Sequence, residues 1–341
     1  MTIRVLIIDD SPTMRAILKS YLSGEPDIEV VGTAGDAAEG RAAIKQFDPD
    51  VVTLDIEMPG MNGLDFLEKI MQLRPTPVIV VSGSTQAGNA ITARALATGA
   101  IDCYAKSGGG QGLGLKDNGK LAAMVRQAAQ ARFSPRLPAA QTEKAPAPTA
   151  IDTNARLIAV GSSTGGVEAL QVLLRSFTPA CPPTMIVQHV NARFVPAIAH
   201  SLDIVTTAKV VVAEPDMPLQ KGHIYIAPGD DRHMTVGGRE SLYIKLRPGE
   251  PVSGHLPSVD MLFHSVAETL GPQAVGILLT GMGSDGAKGL LAMAQTGAHT
   301  IAQDEASCIV FGMPKAAITL GAANVVAPLT RIAEHALRKA A

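Results

Sequence analysis

Short apolar runs alternate with amphipathic stretches along almost the whole of this chain, and that alternation admits few folds. In the first third, residues 4–8, 29–34, 51–54, 78–81 and 101–104 are brief, mostly apolar and in the main rich in Val and Ile. Runs of this length and composition read as strands buried on both faces. Helical patterns fill the gaps at 13–22, 37–47, 63–73 and 90–98, and another covers 120–132. Strands alternating with helices imply a parallel sheet covered on both sides. Residues 107–116 are Gly-rich and polar, and Pro and Ala crowd 134–149. Such a stretch reads as a semi-extended tether. From Arg156 the alternation resumes and runs nearly to the end. The expectation is two α/β domains, 1–132 and 154–341, joined by a linker at 133–153. A chain of 341 residues can supply a core to each.

Composition narrows the class. Hydrophobic residues make up 46% and charged residues 18%, the balance of a globular protein. A net charge of −2 argues against nucleic acid or a membrane surface as general partners. The three cysteines, Cys103, Cys181 and Cys308, are scattered and lack metal-binding spacing. Neither a disulfide framework nor a zinc site is expected, and a reducing cytoplasm fits. No apolar run reaches membrane-spanning length, so no membrane insertion is expected.

The first domain gathers acids at strand ends. Asp9 and Asp10 follow the first strand and Asp55 the third; Ser82 ends the fourth and Lys106 follows the fifth. In the common five-stranded order the first and third strands are neighbours, so these carboxylates converge where ligands bind. Hard oxygen ligands of this kind suit Mg²⁺ together with a phosphate oxygen. Taken singly, each Asp reads equally as a helix cap or turn former.

Three segments give this set a family resemblance: Val5-Leu-Ile-Ile-Asp-Asp-Ser-Pro12, Leu54-Asp-Ile-Glu-Met-Pro-Gly-Met-Asn-Gly-Leu-Asp65 and Val80-Val-Ser82. Residues 1–132 closely resemble the receiver domain of two-component response regulators. The resemblance implies a flavodoxin-like five-stranded parallel domain in which Asp55 accepts a phosphoryl group from a histidine kinase. It implies that Asp9 and Asp10, with Asp55, hold Mg²⁺ and that Lys106 contacts the phosphoryl oxygens. Two positions depart from the pattern: Ser107 stands where Pro usually follows the Lys, and Cys103 stands where an aromatic switch residue is usual, with Tyr104 next to it.

The second domain carries a Ser, a His and an Asp at the ends of three apolar runs. Leu157-Ile-Ala-Val160 leads into Gly161-Ser-Ser-Thr-Gly-Gly166, Met185-Ile-Val-Gln188 ends on His189, and Ala274-Val-Gly-Ile-Leu-Leu279 leads into Thr280-Gly-Met-Gly-Ser-Asp-Gly286. The first loop matches the loose G-x-S-x-G turn that presents a Ser hydroxyl. Ser163 would attack an acyl carbon, His189 would move the proton, and Asp285 would fix the imidazole tautomer. Backbone N–H groups of the Gly-rich loops, that of Met282 among them, are candidates for an oxyanion site. The same loop also describes a phosphate-binding turn, although it lacks the G-K-[ST] of a P-loop. Of the other histidines, His200, His264 and His335 fall in helical patterns, and His233 is a candidate for lining the site.

Residues 156–332 are similar to the catalytic domain of the chemotaxis protein-glutamate methylesterases. The segments are 158–169, Gln188-His189, Tyr225-Ile-Ala-Pro-Gly229, Pro257-Ser-Val-Asp260, 279–286 and 302–314. The resemblance implies a doubly wound, mostly parallel hydrolytic domain with Ser163, His189 and Asp285 as its triad and Thr164 supporting the His. It implies a phosphorylation-gated serine hydrolase that removes glutamyl methyl esters from chemoreceptors, releases methanol and deamidates receptor glutamines. A monomer is expected, with the unphosphorylated receiver covering the active site. Three departures stand out: Ser162 replaces the usual Ala and puts two hydroxyls side by side, the 230–233 stretch is one residue longer, and Pro257 stands where Arg is common. A regulator with a binding-only output remains the rival reading.

Overall fold

The structure is a computed structural model that describes residues 2–58, 61–83, 86–106, 119–131 and 153–338. The expected linker, apart from Thr153, lies outside the described residues, as do Ser107 and the Gly-rich stretch after it. The chain divides into two compact units, Met1–Ala139 and Ala140–Ala341.

The first unit alternates strand and helix without exception: β1 (Ile3–Ile8), α1 (Pro12–Leu22), β2 (Ile28–Ala34), α2 (Ala37–Phe47), β3 (Val51–Asp55), α3 (Gly63–Leu73), β4 (Val78–Ser82), α4 (Gln86–Thr98), β5 (Asp102–Ala105) and α5 (Lys120–Ala128). The sheet order is β2-β1-β3-β4-β5, all parallel. Order reverses between β1 and β3, so the carboxyl ends of these two strands flank a crevice. The helices start where side chains cap them. Ser11 accepts from the Met14 N–H, Asp36 from those of Ala38 and Glu39, and Asn62 from that of Leu64. Every residue of β3 and β4 is buried, as continuous apolar runs in a two-faced sheet require.

The second unit is built around seven parallel strands in the order β14-β13-β12-β6-β7-β9-β8. Its elements are β6 (Leu157–Ser162), α6 (Gly166–Leu174), β7 (Thr184–Gln188), α7 (Val195–Val205), β8 (Lys209–Val212), β9 (His223–Ile226), β10 (Arg232–Gly237), β11 (Tyr243–Pro248), α8 (Val259–Leu270), β12 (Ala274–Leu278), α9 (Ala287–Gln295), β13 (His299–Gln303), α10 (Met313–Thr319), β14 (Val325–Ala327) and α11 (Leu329–Leu337). The pair β10–β11 forms a separate antiparallel hairpin that packs on α8. The inward face of α8, with Val259, Leu262, Phe263 and Val266, is wholly buried and anchors the core beneath β6. Here too the strand order reverses at the centre, between β6 and β12, and β6 is flanked by β12 and β7. The three loops carrying Ser163, His189 and Asp285 therefore leave adjacent strands at one edge of the sheet. Among the described residues no helix is long and apolar enough to cross a membrane.

Candidate active site and phosphoacceptor site

The carboxyl edge of the first sheet concentrates charge. Asp9 and Asp55 are buried, Asp10 is exposed, and one carboxylate oxygen from each lies within 4.8 Å of the others. Lys106 Nζ lies 2.6 Å from Asp55 Oδ2 and 3.1 Å from Asp9 Oδ2. Its backbone N–H is held by the Ser82 carbonyl, which fixes the root of the long side chain. Burial pushes the Asp9 carboxyl above its ordinary range and the Asp55 charge adds to this, with Lys106 opposing both. For Lys106 burial works against the cation, yet the bond to Asp55 and the two carboxylate charges hold its pKa above the usual lysine value. Asp9 Oδ2 is buried, and the Lys106 ammonium lies 3.1 Å from it as its ion-pair partner. Three carboxylates with one oxygen each within 4.8 Å of the others make a hard-oxygen donor set that fits Mg²⁺. Ser82 is buried with its hydroxyl directed to the Gly83 carbonyl, and Cys103 and Tyr104 are both buried on β5.

The second edge is organised by hydrogen bonds instead. β6 ends at Ser162, and register with β7 sets Ser162 beside Gln188, so the next residues, Ser163 and His189, leave neighbouring strands together. The two adjacent hydroxyls are not equivalent. Ser162 is fully buried and its Oγ donates to Gln188 Oε1 at 2.6 Å. The Gln188 amide then donates to the carbonyls of Ser163 and His189 and ties the two loops together. Ser163 is half-buried at the loop crest, in front of α6, whose first turn has no side-chain cap. No side chain caps that end, so the loop meets the positive end of the helix dipole although the Ser163 carbonyl takes the Gly166 N–H.

Close approach dictates the glycines. A Cβ on Gly166 would stand 2.1 Å from Gln188 Oε1, and one on Gly281 would stand 2.7 Å from Ser163 Cβ. The Gly281 backbone thus lies directly against Ser163. The neighbouring Met282 is half-buried, and its N–H donates to no backbone carbonyl among the described residues. By contrast, the N–H groups of Ser163 and Gly166 are taken by the carbonyls of Thr280 and Ser163. A phosphate-cradling turn would need those donors free, so the loop is poorly suited to a nucleotide.

Asp285 is the most heavily bonded side chain of the site. It is 1% exposed, and Oδ1 accepts from Ser258 Oγ at 2.7 Å and from the Asp260 N–H at 3.0 Å. Oδ2 accepts from the Val259 N–H at 2.7 Å and pairs with His189 Nε2 at 2.9 Å. The carboxylate therefore sits on the N-terminus of α8, where N–H donors and the helix dipole favour negative charge. Burial alone would raise its pKa, but the bonds from His189, the Asp260 amide and Ser258 together hold it below the ordinary carboxylate value. An ionised carboxylate only accepts, so the His189 proton resides on Nε2. Nδ1 is then the basic nitrogen; it is buried and has no hydrogen-bond partner among the described residues. The imidazole meets its acid through Nε2 and offers Nδ1 to the proton, the reverse of the familiar serine protease orientation.

Sequence reasoning brought Ser163, His189, Asp285 and Met282 to one edge, and the structure gathers them there. Thr164 forms no hydrogen bond to His189 among the described residues; its carbonyl accepts from Thr280 Oγ1 at 3.0 Å and joins the two Gly-rich loops. His233 is buried and serves the scaffold: Nε2 bonds the Glu250 carbonyl at 3.0 Å, and Nδ1 accepts from the Ser258 N–H at 3.1 Å. Cys308 is no rival nucleophile, because burial first and the Asp304 charge second push its thiol up to about 12. Sequence reasoning missed Ser258, which holds Asp285, and His255, whose ring stacks on His189. The Ser258-x-x-Met261 cap geometry marks only a helix start, and a lone His in a turn carries no signal at all.

Comparison with known proteins gives this geometry a lineage. The CheB methylesterase family matches residues 158–336, and the response regulator receiver domain family matches residues 5–113. The chain is 48% identical to protein-glutamate methylesterase/protein-glutamine glutaminase 1 of Caulobacter vibrioides, over 98% of this chain and 97% of that one. It is 49% identical to the protein-glutamate methylesterase/protein-glutamine glutaminase of Rhizobium etli, over 98% and 96%. The crystal structure of the Thermotoga maritima CheB methylesterase catalytic domain matches 54% of this chain and 97% of its own, at 32% identity and a TM-score of 0.52. The chain belongs to the CheB methylesterase family, with a response regulator receiver domain ahead of its catalytic domain.

Proposed function

We propose that this protein is a phosphorylation-activated serine hydrolase that removes methyl esters from chemoreceptor glutamates and deamidates receptor glutamines in chemotaxis. The observation that carries the chemistry is the Asp285–His189 pair, which leaves Nδ1 unpartnered beside the loop that presents Ser163. Ser163 Oγ forms a bond to the ester carbon while its proton passes to His189 Nδ1. The carbonyl oxygen takes up negative charge, which the uncapped start of α6 and the Met282 N–H are placed to stabilise. Collapse breaks the bond to the methoxy group, and the Nδ1 proton leaves with it as methanol. Water then enters, gives a proton to Nδ1, and its oxygen displaces Ser163 Oγ, which recovers that proton. The products are methanol and a free glutamate; from glutamine the same sequence releases ammonia. Asp285 keeps Nε2 protonated throughout and stabilises the transient imidazolium.

In the receiver, residues 1–132, Asp55 accepts the phosphoryl group from a chemotaxis histidine kinase. Asp9, Asp10 and Asp55 would hold Mg²⁺, which when bound neutralises charge on the phosphoryl oxygens. Lys106, already aimed at Asp55 Oδ2, contacts those oxygens, and Ser82 lies at the same edge. We assign residues 154–341 to catalysis and 133–153 to the linker, and place the enzyme in the cytoplasm as a monomer.

The test is methanol release from methylated receptor fragments, with and without a small phosphodonor and Mg²⁺. Release that rises with the phosphodonor supports both the chemistry and its gating. Folded protein that releases none in either condition overturns the esterase reading.

A further inference from the structure

The turn before α8 carries a second imidazole into the site. The rings of His255 and His189 lie parallel, with centroids 3.8 Å apart and an interplanar angle of 5°. The turn that delivers His255 is tightly specified. Val252 and His255 exchange both backbone hydrogen bonds at 3.0 Å, and the two residues between them have positive φ, 53° at Ser253 and 83° at Gly254. A two-residue hairpin with both central φ positive needs Gly, Asn or Asp by preference, so Ser253 is strained there. Its hydroxyl offsets the strain by donating to Asp260 Oδ2 at 2.8 Å. Asp260 in turn accepts from the Gly289 N–H through Oδ1, and its own N–H binds Asp285. His233 clasps the segment at both ends, through the Glu250 carbonyl and the Ser258 N–H. One network therefore fixes the turn, the stacked ring and the acid of the triad.

We propose that His255 is a positioning residue for catalysis, its ring forming the wall that holds the His189 imidazole in the plane from which Nδ1 exchanges its proton. The proposal rests on the assignment of Ser163, His189 and Asp285 as the triad. Among the described residues the His189 ring has one hydrogen-bond anchor, the 2.9 Å bond at Nε2, and a single bond leaves the ring free to rotate about it. A flat partner at van der Waals distance removes that freedom. The wall must also be uncharged, because His189 becomes a cation each time it takes the Ser163 proton. The titratable groups facing His255 are His189, at the end of β7, and Asp285, in the loop after β12. Burial, followed by the neighbouring His189, holds the His255 pKa below the ordinary imidazole value, while Asp285 acts the other way. Burial makes His255 harder to protonate than a free imidazole, so the ring facing the His189 cation favours its neutral form.

The test uses the full chain with phosphodonor, Mg²⁺ and a methylated receptor fragment. His255→Ala should lower kcat by roughly ten- to a hundredfold, the scale of a misaligned catalytic group, with KM within about twofold of wild type. His255→Phe, which restores a flat uncharged ring, should recover most of that loss. Wild-type kcat in folded His255→Ala would overturn the proposal, as would equal impairment of the Phe and Ala variants. Ser163→Ala, run in parallel, separates the two readings: activity there defeats the triad itself, whereas its loss alongside a fully active His255→Ala defeats the positioning role alone.

Discussion

Two carboxyl edges of two parallel sheets gather the candidate site residues of this protein, and they treat buried acid in opposite ways. Asp285 has every lone pair occupied by Ser258, two amides of α8 and His189, and its pKa is held down. Asp9 has an oxygen ion-paired with Lys106, a like charge next to it at Asp55, and a pKa pushed up. A saturated carboxylate is a fixed part that orients a neighbour. A crowded acid cluster is a receptor whose energy improves when a cation arrives. At the second edge the buried side-chain atom without a hydrogen-bond partner among the described residues is a nitrogen, His189 Nδ1, where the proposed mechanism puts the mobile proton.

The largest expected effect breaks the catalytic edge and spares the other. Ser163→Ala should cut methanol release by roughly 10⁴-fold or more, since a triad without its nucleophile keeps only binding and oxyanion stabilisation. Phosphorylation of Asp55, followed with labelled phosphodonor, should proceed as in wild type. A substantial residual esterase rate would move the nucleophile elsewhere.

Asp285→Asn should rank second, at roughly 10⁴-fold in kcat, because an amide NH₂ toward His189 enforces the wrong tautomer. The same change sets an NH₂ against the donors of α8, which should cost about 1–3 kcal/mol of stability in the catalytic domain. The pH dependence follows from the sign of the shift. A carboxylate whose folded pKa lies below 3.8 contributes stability that is complete above that value and is lost as pH falls through the folded pKa. Acid unfolding of the catalytic domain should therefore begin below about pH 4, and the Asn variant should lose this limb. Equal acid sensitivity in both proteins would remove Asp285 as its source.

Much of this contrast was legible in the sequence, for a specific reason. Strands buried on both faces are continuous apolar runs, so their ends are visible, and the parallel sheet places functional residues at those ends. The extents of α2 and α3 match their helical patterns, because Asp36 and Asn62 cap them and Asp48-Pro49 and Arg74-Pro75 bound their far ends. β5 sits one residue later than its apolar run, since Asp102 enters the ladder opposite Ile79. The wiring between loops was not legible. Ser258 reaches Asp285 across 27 residues, and His255 reaches His189 only because a positive-φ turn swings it there. Such contacts depend on three-dimensional closure, and no spacing rule encodes them. Asp285 combines two duties in one carboxylate: it caps the start of α8 and it pairs with His189, the proposed base.

At the receiver edge the expected effect is loss of control rather than of chemistry. Asp55→Asn should keep basal methanol release and lose its stimulation by phosphodonor, measured as a ratio near one. Lys106→Met should do the same while Asp55 still becomes phosphorylated, because the cation lies 2.6 Å from the carboxylate that must carry the phosphoryl group. Persistent stimulation of Asp55→Asn would place the gate outside this edge.

The smallest effect sharpens the comparison within a single loop, between two adjacent hydroxyls. Ser162 is buried and spends its proton on Gln188 Oε1, whereas Ser163 faces the site. Ser162→Ala removes that donor and leaves a buried amide oxygen unpaired, a loss of about 1–3 kcal/mol. In a domain of this size each kcal/mol lowers the melting temperature by about 2–4 °C. The hydroxyl that reacts is untouched, so kcat should fall only severalfold, as far as Gln188 loosens its hold on the Ser163 and His189 carbonyls. Covalent labelling by an acyl-directed probe should still fall on Ser163. Loss of labelling in a folded Ser162→Ala protein would exchange the roles of the two serines, and with them the division between scaffold and nucleophile in this loop.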